Sequence, residues 1–169
     1  VTLVFSYLTI ERNKVWKNEI TLWEDVVRKS PQKARPYDNL GSAYLKAGRY
    51  EEARLILERA LFLNPRAVTT YINLAEVAIE KGELKEAENY LIKALKNNPT
   101  SVVALNNLGV IFLKSGDFEK AKGEFLQALA LNRGYIQPKL NLAGVYTREG
   151  SFDEAMSLRE EISKDYPHD

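Results

Sequence analysis

An all-α fold of stacked antiparallel helix pairs is what this sequence predicts, and three observations predict it. The first is a recurrence every 34 residues: Asn39-Leu40-Gly41, Asn73-Leu74-Ala75, Asn107-Leu108-Gly109 and Asn141-Leu142-Ala143 share one slot. Gly48, Gly82, Gly116 and Gly150 keep the same step, as do Ala53, Ala87, Ala121 and Ala155, and the series Tyr50, Leu84, Phe118, Phe152. Self-similarity at such a period marks a repeat architecture. The second observation is helical spacing of apolar residues on either side of each glycine: Tyr37, Leu40, Gly41, Tyr44, then Ala53, Leu57, Ala60, Leu61. The third is a helix-stopping proline after each second stretch, at Pro31, Pro65, Pro99 and Pro167, with Arg133 in the one missed place.

The elements follow in order. Residues 1–15 begin with VTLVFSYLTI, ten uncharged residues, and pass into ERNKVWK. Two readings stand for this stub: the end of a membrane span begun upstream, or a degenerate first helix. A first residue of Val rather than Met suits a fragment of something longer. Residues 16–33 extend the register backwards, with Trp16 and Trp23 in apolar slots, and predict a capping helix that seals the first full unit. Four units then run 34–67, 68–101, 102–135 and 136–169. In each, the glycine between the stretches ends the first helix in a left-handed conformation, and small residues such as Gly41 and Ala53 let the helices approach closely. One hairpin cannot cover its own apolar face, so the units must stack. The fourth unit puts Arg159 and Ser163 where the others have Leu57, Leu91, Phe125 and Leu61, Leu95, Leu129. It reads as its own cap, although Met156, Leu158 and Ile162 are apolar leftovers that suit a further helix.

Composition removes several functions. Lys plus Arg number 24 against 23 acidic residues, so there is no charge excess to draw nucleic acid. With no Cys, and His168 the sole histidine, the usual zinc sets and nucleophile–imidazole pairs are missing. Glu51, Glu52, Glu86, Glu119 and Asp153 recur on the second helices, where a solvated face explains them. The expectation is no intrinsic catalysis, no cofactor, no metal and no small-molecule substrate.

The aromatic or Leu, Gly, Ala and Pro slots across residues 34–169 resemble tetratricopeptide repeats. The resemblance implies a right-handed superhelix of four repeats plus an N-terminal capping helix, with the first helices lining a concave groove for a protein or peptide partner. The groove residues are then Asn39, Asn73, Asn107 and Asn141, with Arg35, Asp38 and Ser42 in the first unit and Ile72 and Glu76 in the second. Val103, Asn106, Val110, Gln137, Leu140 and Gly144 line the third and fourth, making that half the more apolar. A primary amide both donates and accepts, so it can hold the N–H and C=O of an extended chain whatever its side chains. The four asparagines resemble the ladder that grips peptides in O-linked N-acetylglucosamine transferases; the alternative is that they bond to their own scaffold. A carboxylate clamp for acidic tails is not expected, because its slots hold Asp38, Ser42, Val103 and Asn107, and only Asn73 matches.

The juncture from ERNKVWKNEITLW into the array resembles multi-span membrane proteins of the protein O-mannosyltransferase-like group, which carry such repeats at their C-terminus. That resemblance implies membrane association of the full-length chain, an extracytoplasmic repeat domain, and any glycosyltransferase chemistry in the upstream part, whereas Arg12, Lys14 and Lys17 point to the cytoplasmic side by the positive-inside rule. The expected function is a peptide-binding interaction module. An assembly scaffold and an accessory domain of a glycosyltransferase are the alternatives.

Overall fold

The structure, a computed structural model, describes residues 18–165. The expectations for 1–15, Trp16, Pro167 and His168 lie outside them. Two compact units divide the chain, Val1–Lys81 and Gly82–Asp169. The first holds α1 (Glu19–Lys29), α2 (Ala34–Lys46), α3 (Tyr50–Leu63) and α4 (Val68–Glu80). The second holds α5 (Leu84–Asn97), α6 (Val102–Lys114), α7 (Phe118–Leu131), α8 (Ile136–Glu149) and α9 (Phe152–Asp165). Among the described residues every regular element is a helix.

Helix ends obey local chemistry. Gly48, Gly82, Gly116 and Gly150 all take positive φ, 71° to 80°, a region cheap only for glycine. The chain reverses there: Arg49 N donates to Tyr44 O and Asp117 N to Phe112 O, each at 2.9 Å. At the far end of the second helices the prolines are not the only stop. The α7 helix ends at Leu131 with Arg133 in the proline slot, as α3 ends at Leu63 before Pro65. The shared device is an asparagine turn. Asn64, Asn98 and Asn132 follow α3, α5 and α7, and each side-chain oxygen accepts the backbone N–H two residues on, at 3.1–3.3 Å.

Packing inside a hairpin is set by a glycine facing a large residue. A Cβ on Gly41 would lie 2.4 Å from Leu57 Cγ, and one on Gly109 would lie 2.5 Å from Phe125 Cε1. Leu57 and Phe125 are accordingly fully buried, each flanked by buried alanines one turn away. In the second unit Ala121, Phe125, Leu142 and Val145 form a core cluster onto which Leu158 of α9 packs. Leu158 is therefore partly buried against this cluster. Phe152 and Met156 are exposed, at 63% and 59%, and Arg159 and Ser163 are exposed as well.

Within the first unit the α1 helix docks on α2. Asn18 and Thr21 form a reciprocal capping box at its start. Lys46 pairs with Glu19 at 3.2 Å, and Tyr44 donates its hydroxyl to Glu24 at 2.7 Å. Trp23 is half-buried. Burial, then the hydrogen bond to Glu24, pushes the Tyr44 phenol up to about 12. The guanidinium of Arg49 sits 4.5 Å from the centre of the same ring.

Gly109→Ala should lower stability by about 1–3 kcal/mol in urea unfolding, the usual cost of overpacking. By contrast, Gly123→Ala on α7, where a Cβ would meet nothing within 4 Å, should raise it by up to about 1 kcal/mol. Because the Tyr44 phenol is raised, its contribution is whole below the ordinary tyrosine range and lost as pH climbs through about 12. Absorbance titration should show a late tyrosinate that Tyr44→Phe removes.

Candidate functional site

The first helices of each unit carry the expected ligand-facing residues, and each unit builds its own face. In the first unit α2 presents Arg35, Asp38, Asn39 and Ser42 beside Thr69, Asn73 and Glu76 of α4. Asp38, half-buried, accepts the Thr69 hydroxyl at 3.0 Å and Asn73 Nδ2 at 3.2 Å. Asn39 has no hydrogen-bond partner among the described residues. A cavity of about 410 Å³ opens between Arg35, Asp38, Asn39, Asn64, Thr69 and Thr70. The Thr70 hydroxyl is fully buried there and unpartnered among the described residues. Ile72, expected on this face, is instead buried at 8% exposure, because an apolar side chain gains more from the core than from a polar rim.

In the second unit α6 and α8 are pinned by a chain of amides. Asn141 Nδ2 donates to Asn106 Oδ1 at 2.9 Å, and Asn106 Nδ2 donates to Asn107 Oδ1 at 3.2 Å. Asn106, expected to be open to a ligand, is buried at 6% and acts as the relay. Around it, Gln137, Val103 and Leu140 are exposed, the last two at 38% and 46%; Val110 and Gly144 are half-buried.

One rule joins the two faces. The asparagine of the later first helix donates to the residue just before the asparagine slot of the earlier one: Asn73 to Asp38, Asn141 to Asn106. Both readings of the asparagines thus meet in one residue type. Asn73 and Asn141 each give a donor to the scaffold, yet neither side-chain oxygen accepts from a described residue. The signal was present in the sequence as Asp38 and Asn106, polar residues one place ahead of the ladder.

Lys139 was missed. It is buried at 3% in a slot where Tyr37 and Tyr71 donate their hydroxyls to the carbonyls of Pro31 and Pro65. Its Nζ instead meets Glu161 of α9 at 2.9 Å, at one side of a cavity of about 640 Å³ walled by Leu126, Leu129, Leu142, Tyr146 and Leu158. A cation in a slot that otherwise holds Tyr37, Tyr71 and Leu105 could have flagged it.

The recurring carboxylates of the second helices are engaged on the outside. Glu51 meets Lys81 at 2.7 Å, Glu52 meets Arg49 at 2.8 Å and Glu119 meets Lys122 at 2.9 Å. The Arg49 hydrogen bond holds Glu52 below the ordinary carboxylate range. Among the described residues no cluster of three or more His, Asp or Glu could hold a metal ion. No described helix is long and apolar enough to cross a membrane.

Helix pairs at a 34-residue step, with polar first-helix faces, define a helical-repeat interaction protein. The family follows from the match of residues 44–108 and 112–169 to the tetratricopeptide repeat model: the chain belongs to the tetratricopeptide repeat family, whose fold is typical of non-catalytic protein–protein interaction modules. Among solved structures, TTC0263, a tetratricopeptide repeat protein of Thermus thermophilus, is 25% identical with a TM-score of 0.80 over 89% of this chain and 82% of its own. PilF of Pseudomonas aeruginosa is 20% identical with a TM-score of 0.77, over 96% of this chain and 73% of its own, a likeness of fold. The protein O-mannosyl-transferase Tmtc2 of Drosophila melanogaster is 38% identical over 60 residues, 36% of this chain and 6% of that relative's length.

A double-mutant cycle on Asp38→Ala and Asn73→Ala should give a coupling of about 0.5–1.5 kcal/mol in chemical unfolding, the worth of one hydrogen bond. Additive effects would show that the contact contributes nothing to stacking.

Proposed function

We propose that each of the two first-helix faces binds extended polypeptide, with Asn39 and Asn73 on the first and Asn107 and Asn141 on the second reaching its main chain. The observation that carries this is unused hydrogen-bonding capacity. Asn39 has no partner among the described residues, Asn73 and Asn141 commit a donor but no acceptor, and the buried Thr70 hydroxyl is unpartnered beside them. Buried polar groups ordinarily find partners, so a guest main chain with alternating N–H and C=O is the complement these amides fit. Arg35, Asp38, Ser42 and Glu76 would meet guest side chains in the first unit, and Val110 and Gln137 in the second.

The chain spans about 6% of the length of the curated relative it matches. A place as the interaction part of a longer, membrane-associated protein, on its extracytoplasmic side, is part of the same proposal. The limited identity to an O-mannosyl-transferase and the charged juncture before Trp16 support it. Glycosyl transfer would then reside in the remaining chain. A scaffold reading has one observation of its own. Leu55 and Phe62, seven residues apart on α3, are 67% and 74% exposed and lie on one helix face.

Asn39→Ala removes no bond to another described residue, so unfolding should be unchanged. Affinity for a peptide selected from a random-sequence library should fall by about 0.5–1.5 kcal/mol in calorimetry. If that affinity is untouched in Asn39→Ala and Asn73→Ala alike, peptide gripping by the amides is wrong and the α3 surface becomes the better candidate.

A further inference from the structure

We infer that the outer face of α3 is a self-association surface, which pairs with the same face of a second copy of this chain, the two helices running in one direction. The surface lies on the second helix of its hairpin, so the inference stands apart from peptide binding by the first helices. Leu55 and Phe62 are 67% and 74% exposed on this face. The repeat does not require them. In the other three units the Leu55 slot holds Asn89, Gly123 and Ser157, and the Phe62 slot holds Lys96, Ala130 and Lys164. Small or polar side chains serve in both places there, so packing within the hairpin leaves the two apolar ones unexplained. Contact with another apolar surface is what such side chains gain from.

Charge selects the partner. At about 100° per residue, Leu55 and Phe62 lie almost on one line along the helix. Glu58 falls about 50° to one side of that line and Arg59 about 50° to the other. Both are exposed, and neither forms an ion pair with another described residue. The Arg59 guanidinium lies over the Phe62 ring, 4.9 Å from its centre. An apolar line flanked by one acid and one base is complementary to itself.

The arrangement also sets the direction. When a two-fold axis runs along the helix, Leu55 meets the partner's Leu55 and Phe62 meets the partner's Phe62. Glu58 then sits beside the partner's Arg59 on both flanks. An axis across the helix would set Glu58 against the partner's Glu58 and Arg59 against the partner's Arg59, and like charges so placed repel. In the parallel pair Glu51 comes beside the partner's Glu52. Those carboxylates are already matched within their own chain, by Lys81 at 2.7 Å and by Arg49 at 2.8 Å. A contact one helix wide is smaller than the standard interface of about 1,600 Å², so the association is weak.

Sedimentation velocity of the whole chain over a concentration series at low salt should show monomer giving way to dimer. Leu55→Ser and Phe62→Lys introduce side chains that other units carry in those slots. The unfolding midpoint should therefore hold while association weakens at least tenfold. Glu58→Arg or Arg59→Glu alone should weaken it too, and the two together should restore it. The chain has no cysteine, so single replacements report direction. Leu55→Cys and Phe62→Cys should each form a disulfide with its own kind under mild oxidation. Cross-linking only when the two variants are mixed refutes the parallel pairing. A chain monomeric at every concentration refutes the surface, as does a dimer indifferent to Leu55→Ser and Phe62→Lys. A monomer whose unfolding midpoint drops in both variants has this face covered within the chain, which overturns the inference as well. The peptide-binding reading is judged separately, by Asn39→Ala and Asn73→Ala.

Discussion

The structure depends on the closeness of two helices within a hairpin. Gly41 facing Leu57, and Gly109 facing Phe125, allow backbones to approach until a single side chain fills the space between them. Burying such a side chain is worth about 1.5–3 kcal/mol, and the neighbouring alanines keep both helices near enough to collect it. A left-handed glycine between the helices makes the return tight. Once the hairpin is rigid, its first helix has one face committed to the core and another that packing does not claim. That unclaimed face is one where the sequence is at liberty to vary for a partner.

The fold was legible because each of these demands falls on a residue type with few substitutes. No other residue takes φ near 75° as cheaply as glycine, and little besides glycine fits against Leu57, so the period shows through. The terminators were only half legible. Proline draws attention, but Asn64, Asn98 and Asn132 form the turn in all three cases, including the one without proline. Asparagine has many uses, and periodicity alone does not say which one a given side chain serves.

The depth at which the candidate site residues lie was not legible in the sequence. Slot arithmetic placed Ile72 and Asn106 on an open face; burial took both inward, for opposite reasons. Ile72 follows the hydrophobic gain into the core. Asn106 is buried because it is doubly bonded, accepting from Asn141 and donating to Asn107. Lys139 escaped notice since its partner, Glu161, comes from another helix 22 residues on, and no local pattern records that meeting. The pairing of Lys139 with Glu161 is one that the period does not encode.

The asparagine slot brings these threads together. Scaffold bonding and ligand gripping were rival explanations, but an amide has more than one hydrogen-bonding position, so one bond does not exhaust it. Asn73 gives a donor to Asp38, an acceptor that would otherwise lose part of its solvation on a half-buried helix face. An aspartate at position 73 would repel Asp38, and a leucine would leave it without that donor. A serine could donate but is too short to span the helices and still offer a separate acceptor outward. Of these residues, asparagine alone satisfies the neighbour and keeps an oxygen free of it. Stacking therefore orients the amide, and under the peptide-binding proposal the entropy of fixing that side chain would be met by folding rather than by binding.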